Sequence, residues 1–101
     1  IVNLKKDSGF MKTIKLEVYG LVQGVGFRFM TKKLADELGV KGIVMNRNDG
    51  SVYIEAQADP MTLQQFISQV KLSPSPSGRV DDVHIAEIDH APYKDFSVTY
   101  Q

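Results

Sequence analysis

Residues Gln23-Gly24-Val25-Gly26-Phe27-Arg28 stand where an alternating apolar run stops and a helical pattern starts, and this junction constrains the chain more than any other segment. Before it, Ile14, Leu16 and Val18 alternate with Lys15, Glu17 and Tyr19, the period of a half-buried strand. After it, Phe27, Met30, Leu34, Ala35 and Leu38 recur at helical spacing, and Gly39 is placed to end the helix. A strand that enters a helix through two glycines turns tightly, so successive N–H groups can point into one concavity. Donors gathered at a helix N-terminus favour an anion. Arg28 at the rim adds a planar, permanently charged fork matched to two phosphoryl oxygens. On residue chemistry alone the segment is either an oxyanion cradle or a glycine-softened turn with a solvated arginine.

Several look-alikes are excluded. No Gly-x-x-x-x-Gly-Lys-Ser/Thr string occurs, so this is not a Walker loop. Phe29 stands where a dinucleotide fingerprint would place its third glycine or alanine. The chain has no cysteine, which rules out a cysteine-nucleophile phosphatase, disulfides and thiolate metal sites, and fits a cytoplasmic setting.

The remaining pattern predicts a second strand from Ile43 to Arg47, a tight turn at Asn48-Asp49-Gly50-Ser51, and a third strand. In that third strand Val52, Ile54, Ala56 and Ala58 alternate with Tyr53, Glu55 and Gln57. Asp59-Pro60 reads as an N-cap with proline at the first helical position, followed by the stripe Leu63, Phe66, Ile67 and Val70. The Ser-Pro tract at 73–78 reads as a connecting loop without functional consequence, as does the choice of Leu21. Val83 to Asp89 is a strand with broken phase, as a bulge or an edge position would produce. Phe96, Val98 and Tyr100 alternate in a last short strand.

This order is the split β-α-β arrangement of an α+β, ferredoxin-like sandwich, with two helices on one face of a mainly antiparallel sheet of four to five strands. In that topology the first and second strands run the same way with the third between them. The loop after strand one and the end of strand two therefore open at the same end of the sheet, roughly 10 Å apart. A phosphate held from one side and a water held from the other would bridge that gap.

With 101 residues the chain forms one domain. Its formal net charge is zero, so no long-range field would hold nucleic acid or an anionic membrane, and an anion must be recognised by local geometry. The apolar runs are too short to span a bilayer. Met11-Lys12-Thr13-Ile14 looks like a natural start. Residues 1–10 have no clean periodicity and read as an upstream extension or an expression remnant, leaving 11–101 as the domain.

Two wider strings carry a resemblance. Val18-Tyr19-Gly20-Leu21-Val22-Gln23-Gly24-Val25-Gly26-Phe27-Arg28 resembles the first signature of the acylphosphatase family. Gly42-Ile43-Val44-Met45-Asn46-Arg47-Asn48-Asp49-Gly50-Ser51-Val52 is similar to its second. The resemblance runs from about Lys12 to Tyr100. It implies hydrolysis of an acyl phosphate to carboxylate and inorganic phosphate, with Arg28 and Asn46 as the catalytic residues. The backbone of Gln23, Gly24, Val25, Gly26, Phe27 and Arg28 would form the phosphate-binding loop. Arg28 would clamp phosphoryl oxygens and Asn46 would orient the attacking water. Phosphate or sulfate would bind as product or inhibitor; no metal, no cofactor, no nucleic acid and a monomer are expected. Similar modules also open large hydrogenase-maturation proteins.

The alternatives are a non-catalytic anion-binding regulatory module of the same fold and an RNA-binding ferredoxin-like module. Zero net charge and the lack of a base-stacking strand motif disfavour the second. Arg28 and Asn46 together favour an enzyme, because binding alone needs no water-orienting group. Asp81, Asp82, His84, Asp89 and His90 lack metal-ligand spacing and fit a charged edge strand. Asp49-Gly50 is read as turn chemistry only. Arg47 is left out of the site because a strand turns it to the face opposite Asn46.

Overall fold

The computed structural model describes residues 10–100, so the readings for residues 1–9 and Gln101 lie outside the described residues. Seven elements follow in the order β1 (Lys12–Leu21), α1 (Phe27–Leu38), β2 (Lys41–Asn46), β3 (Val52–Ala58), α2 (Pro60–Lys71), β4 (Arg79–Ile88) and β5 (Phe96–Val98). They build one five-stranded sheet in the order β4-β1-β3-β2-β5, with only the β2–β5 pair parallel. The split β-α-β reading is therefore correct, and β3 does lie between β1 and β2.

The helices form where local chemistry favours them. Asp59 accepts from the backbone N–H and the hydroxyl of Thr62, and Pro60 opens α2. Gly39 takes the left-handed conformation that closes α1. Leu63, Phe66 and Val70 of α2 are buried, as the stripe predicts. In α1 the deepest line is Phe27, Thr31 and Ala35, with Met30, Leu34 and Leu38 only partly buried beside it. The small side chains at 31 and 35 let the helix approach closely, and the larger ones wedge along its flanks.

One face of the sheet meets both helices. There Leu16, Val18, Val44, Val52, Ile54 and Ala56 are fully buried. Phe66 and Phe96 close the core with tilted rings whose centroids are 6.3 Å apart. Each such buried aromatic or branched side chain contributes about 1.5–3 kcal/mol of transfer free energy.

β4 begins at Arg79, four residues before the Val83 start that the apolar pattern predicts. Of the two reasons suggested for its broken phase, the edge position applies: from Val83 to Ile88 the ladder with β1 is continuous, and the one register shift lies before Val83, between Tyr19 and Gly20, which pair with Asp82 and Val80. Ile88 pairs with Thr13 on the face away from the helices. From there the chain crosses that back face to β5 at the opposite edge. Gln57 holds the crossing: its Nε2 donates to Thr13 Oγ1 at 2.8 Å and to the Ala91 carbonyl at 3.3 Å, and its Oε1 accepts from the Tyr93 N–H at 2.8 Å. β5 ends at Val98, short of the Tyr100 that alternation suggests, although Thr99 still donates to the Val44 carbonyl at 2.8 Å.

Candidate active site

The end of β1, the start of α1, the end of β2 and the chain beyond β5 enclose a cavity of about 330 Å³. Its lining includes Gly24, Gly26, Phe27 and Arg28 from the glycine segment, Asn46 from β2, and Val22, Phe29, Val98 and Tyr100. The two residues singled out as catalytic, distant in sequence, thus share one pocket.

The glycine segment is anchored at both ends. Val22 and Phe27 are each 1 % exposed, so the loop leaves the core and returns to it within a few residues. Gly24 and Gly26 both have φ near 76°, a conformation a side chain would resist by roughly 1–2 kcal/mol. Gly26 is the N-cap of α1 and, having no side chain, caps nothing; no acidic residue occupies the first turn. The opening N–H groups of a helix have no intrahelical acceptor. The residues of this first turn, Gly26 to Phe29, line the cavity, and no acidic side chain on the turn offsets the positive end of the helix dipole.

Arg28 is half-buried at the start of that helix. Its guanidinium carbon lies 5.3 Å from the centroid of Tyr100, and among the described residues no carboxylate pairs with it. The charge is therefore left for a ligand. Asn46 ends β2, paired with Val52, on the same face as buried Val44. Its Oδ1 is buried and has no hydrogen-bond partner among the described residues. A buried acceptor without a donor costs about 1–3 kcal/mol, a cost that a water or ligand donor in the pocket would remove.

Two members of the predicted loop behave differently from the rest. Neither Gln23 nor Val25 lines the cavity. The Gln23 side chain turns to the β2–β3 hairpin, where Nε2 donates to the carbonyls of Arg47 and Ser51 at 2.8 Å each. The Val25 carbonyl accepts from the Ser75 hydroxyl at 2.5 Å. The 73–78 segment is thus more than a neutral connection, because it braces the glycine loop. Nothing in the sequence around Ser75 marks that contact. The alternation marks Val98 as a strand residue and carries Tyr100 on from it, past the actual end of β5, but only the placement of β5 beside β2 brings the two to the pocket.

The other candidates sort as their chemistry suggests. Arg47 lies on the back face, paired with Glu17 at 2.8 Å and stacked 4.3 Å from the centroid of Tyr53. The Asp49 carboxylate accepts from Ser51 N–H and Oγ at 2.9 and 2.5 Å, and the hydroxyl bond above all holds its pKa below the ordinary range. Asp81 pairs with Arg79, which lowers its pKa, and Asp82 pairs with His84 on the exposed edge strand. His90 stacks on Tyr93. Among the described residues no three His, Asp or Glu side chains are grouped to hold a metal ion. No helix among them is long and apolar enough to cross a membrane.

The acylphosphatase family profile matches residues 14–98. The chain belongs to the acylphosphatase family. It is 52 % identical to an acylphosphatase of Ligilactobacillus salivarius over 90 residues, covering 89 % of this chain and all of that one. It is 46 % identical to one from Thermotoga petrophila, again covering 89 % of this chain and 99 % of the relative. The crystal structure of acylphosphatase from Bacillus subtilis superposes with a TM-score of 0.85 at 36 % identity, covering 90 % of this chain and all of that one. The activity is that of the family, a hydrolase acting on the carboxyl–phosphate bond of an acyl phosphate.

Proposed function

We propose that Arg28 and the N–H groups of the Gln23–Arg28 loop hold the phosphoryl group, while Asn46 holds the attacking water. The observation that carries this reading is that Asn46, whose Oδ1 is buried and unpartnered, lines the same cavity as Arg28, which has no carboxylate partner among the described residues. An acyl phosphate is a mixed anhydride whose carboxylate leaves readily, so the catalyst has little acid work to do. What remains is to neutralise phosphoryl charge and to aim the nucleophile.

Water oxygen attacks phosphorus in line as the bond to the acyl oxygen breaks, and the carboxylate departs with the electron pair. Asn46 is too weak a base to take the water's proton, which passes to a phosphoryl oxygen of the substrate. Donors fixed by the backbone contribute most as charge builds on the equatorial oxygens. Phosphate, as product, competes for the same donors. One chain supplies every group named, so the reading includes a monomer working without a metal ion; a chain without cysteine fits a cytoplasmic setting.

Benzoyl phosphate hydrolysis, followed by ultraviolet absorbance with phosphate as competitor, tests the assignment. Arg28→Lys replaces a fork by a point charge and should lose about a hundred- to a thousandfold in kcat/KM. Asn46→Ala should lower kcat and leave the phosphate inhibition constant nearly unchanged. A lysine variant close to wild type, or an Asn46→Ala enzyme whose phosphate affinity falls in step with kcat, refutes these roles.

A further inference from the structure

We propose that the side chain of Gln23 is a positioning residue that sets the spacing between the phosphate cradle and Asn46. The proposal rests on the roles assigned above to Arg28 and Asn46. Both acceptors of the Gln23 amide belong to the β2–β3 hairpin. Arg47 directly follows Asn46, and Ser51 directly precedes Val52, the ladder partner of Asn46. One nitrogen with two N–H donors thus grips both strands of the hairpin at the level where Asn46 sits.

The hairpin does not need this grip to close. Arg47 N–H donates to the Ser51 carbonyl at 2.9 Å, Gly50 N–H donates to the Arg47 carbonyl at 3.2 Å, and Asp49 holds Ser51 from inside the turn. The bonds from Gln23 are additional and run outward, from the segment that carries the oxyanion donors to the strand that carries the water-holding amide. The β1–β3–β2 ladder ties the two strands together through the row Val18, Val52 and Asn46, but it stops short of the glycine loop. The Gln23 amide adds a side-chain link from within that loop to the hairpin. In-line attack depends on the distance between the two groups, and ångström-scale misplacement can cost about a hundredfold in rate.

Gln23→Leu removes both donors at nearly constant volume. The expected result is a kcat about ten- to a hundredfold lower, with the phosphate inhibition constant nearly unchanged because the cradle itself is intact. Gln23→Leu placed in Asn46→Ala should then add little further loss, since the clamp has nothing left to position. If Gln23→Leu does not fold, Gln23→Met, which keeps the chain length without donors, gives the same comparison. Losses that multiply in the double variant, or a phosphate constant that worsens in step with kcat, overturn the positioning role while the reading of Asn46 stands. An Asn46→Ala enzyme with wild-type kcat overturns both.

Discussion

The Ser75 hydroxyl donates to the Val25 carbonyl at 2.5 Å and joins the loop after α2 to the middle of the glycine segment. Ser75 is 2 % exposed, and its own carbonyl accepts from Ser73 Oγ at 2.7 Å and from Gly78 N–H at 3.1 Å. The brace is therefore a folded unit and not a loose strand of chain. Ser75→Ala leaves the Val25 carbonyl unpaired at a cost of about 1–3 kcal/mol. For a domain of this size each kcal/mol lowers Tm by roughly 4–8 °C. The cradle should loosen as well, so the phosphate inhibition constant and kcat/KM should worsen together. A lower Tm with unchanged phosphate affinity would show that the brace stabilises the fold without shaping the site.

The sequence displays the elements that end on their own chemistry and hides those that end on distant partners. Asp59-Pro60 and Gly39 fix the helix boundaries because capping is local. The Asn48–Ser51 turn is legible for the same reason. The start of β4 is not, because its first residues lie on an exposed edge with a register shift and carry no apolar alternation. The back-face crossing is held by side-chain amide bonds from Gln57 to main-chain groups, which leave no periodic trace. At the site, Arg28 and Asn46 were legible from their strings. The role of the Gln23 side chain was not, because its acceptors are main-chain carbonyls of a hairpin distant in sequence, and such contacts leave no pattern in the chain.

Alkaline pH should expose the back-face cluster. The hydroxyls of Tyr53 and Tyr93 both donate to the Glu55 carboxylate, Tyr53 at 2.6 Å. Burial first, and then the bond to Glu55, raises Tyr53 from 10.0 to about 12 and moves Tyr93 in the same direction. A folded-state pKa above the unfolded value means that the stabilisation is complete below the unfolded pKa. It is lost as pH rises through the folded one. Tm should therefore decline from about pH 10 through about pH 12. Tyr93→Phe should start from a lower Tm at neutral pH and decline less steeply across that window. Parallel curves for the two proteins would remove these tyrosines as the cause.

Chelation tests the source of the positive field. In the proposed mechanism Arg28 and the uncapped first turn of α1 supply it, so hydrolysis of benzoyl phosphate should survive exhaustive dialysis against a strong chelator. Activity lost to the chelator and restored by magnesium or zinc would require a metal in the phosphoryl-transfer step and a different role for the arginine.

Phosphate should bind without substrate, because the donors are set by backbone geometry before any ligand arrives. An anion that binds only the folded state stabilises it by RT ln(1 + [L]/Kd), about 1.4 kcal/mol at ten times Kd. That corresponds to a saturating rise in Tm of roughly 6–11 °C for a domain of this size. Phosphate and sulfate also stabilise proteins generally by exclusion from the surface, an effect that grows without saturating. Arg28→Ala separates the two contributions. It keeps the general effect and should lose the saturable one, because the guanidinium is the cavity's permanent charge and among the described residues no other lysine or arginine lines it. Equal, unsaturated rises in wild type and Arg28→Ala would place the anion elsewhere and remove the cradle from the mechanism.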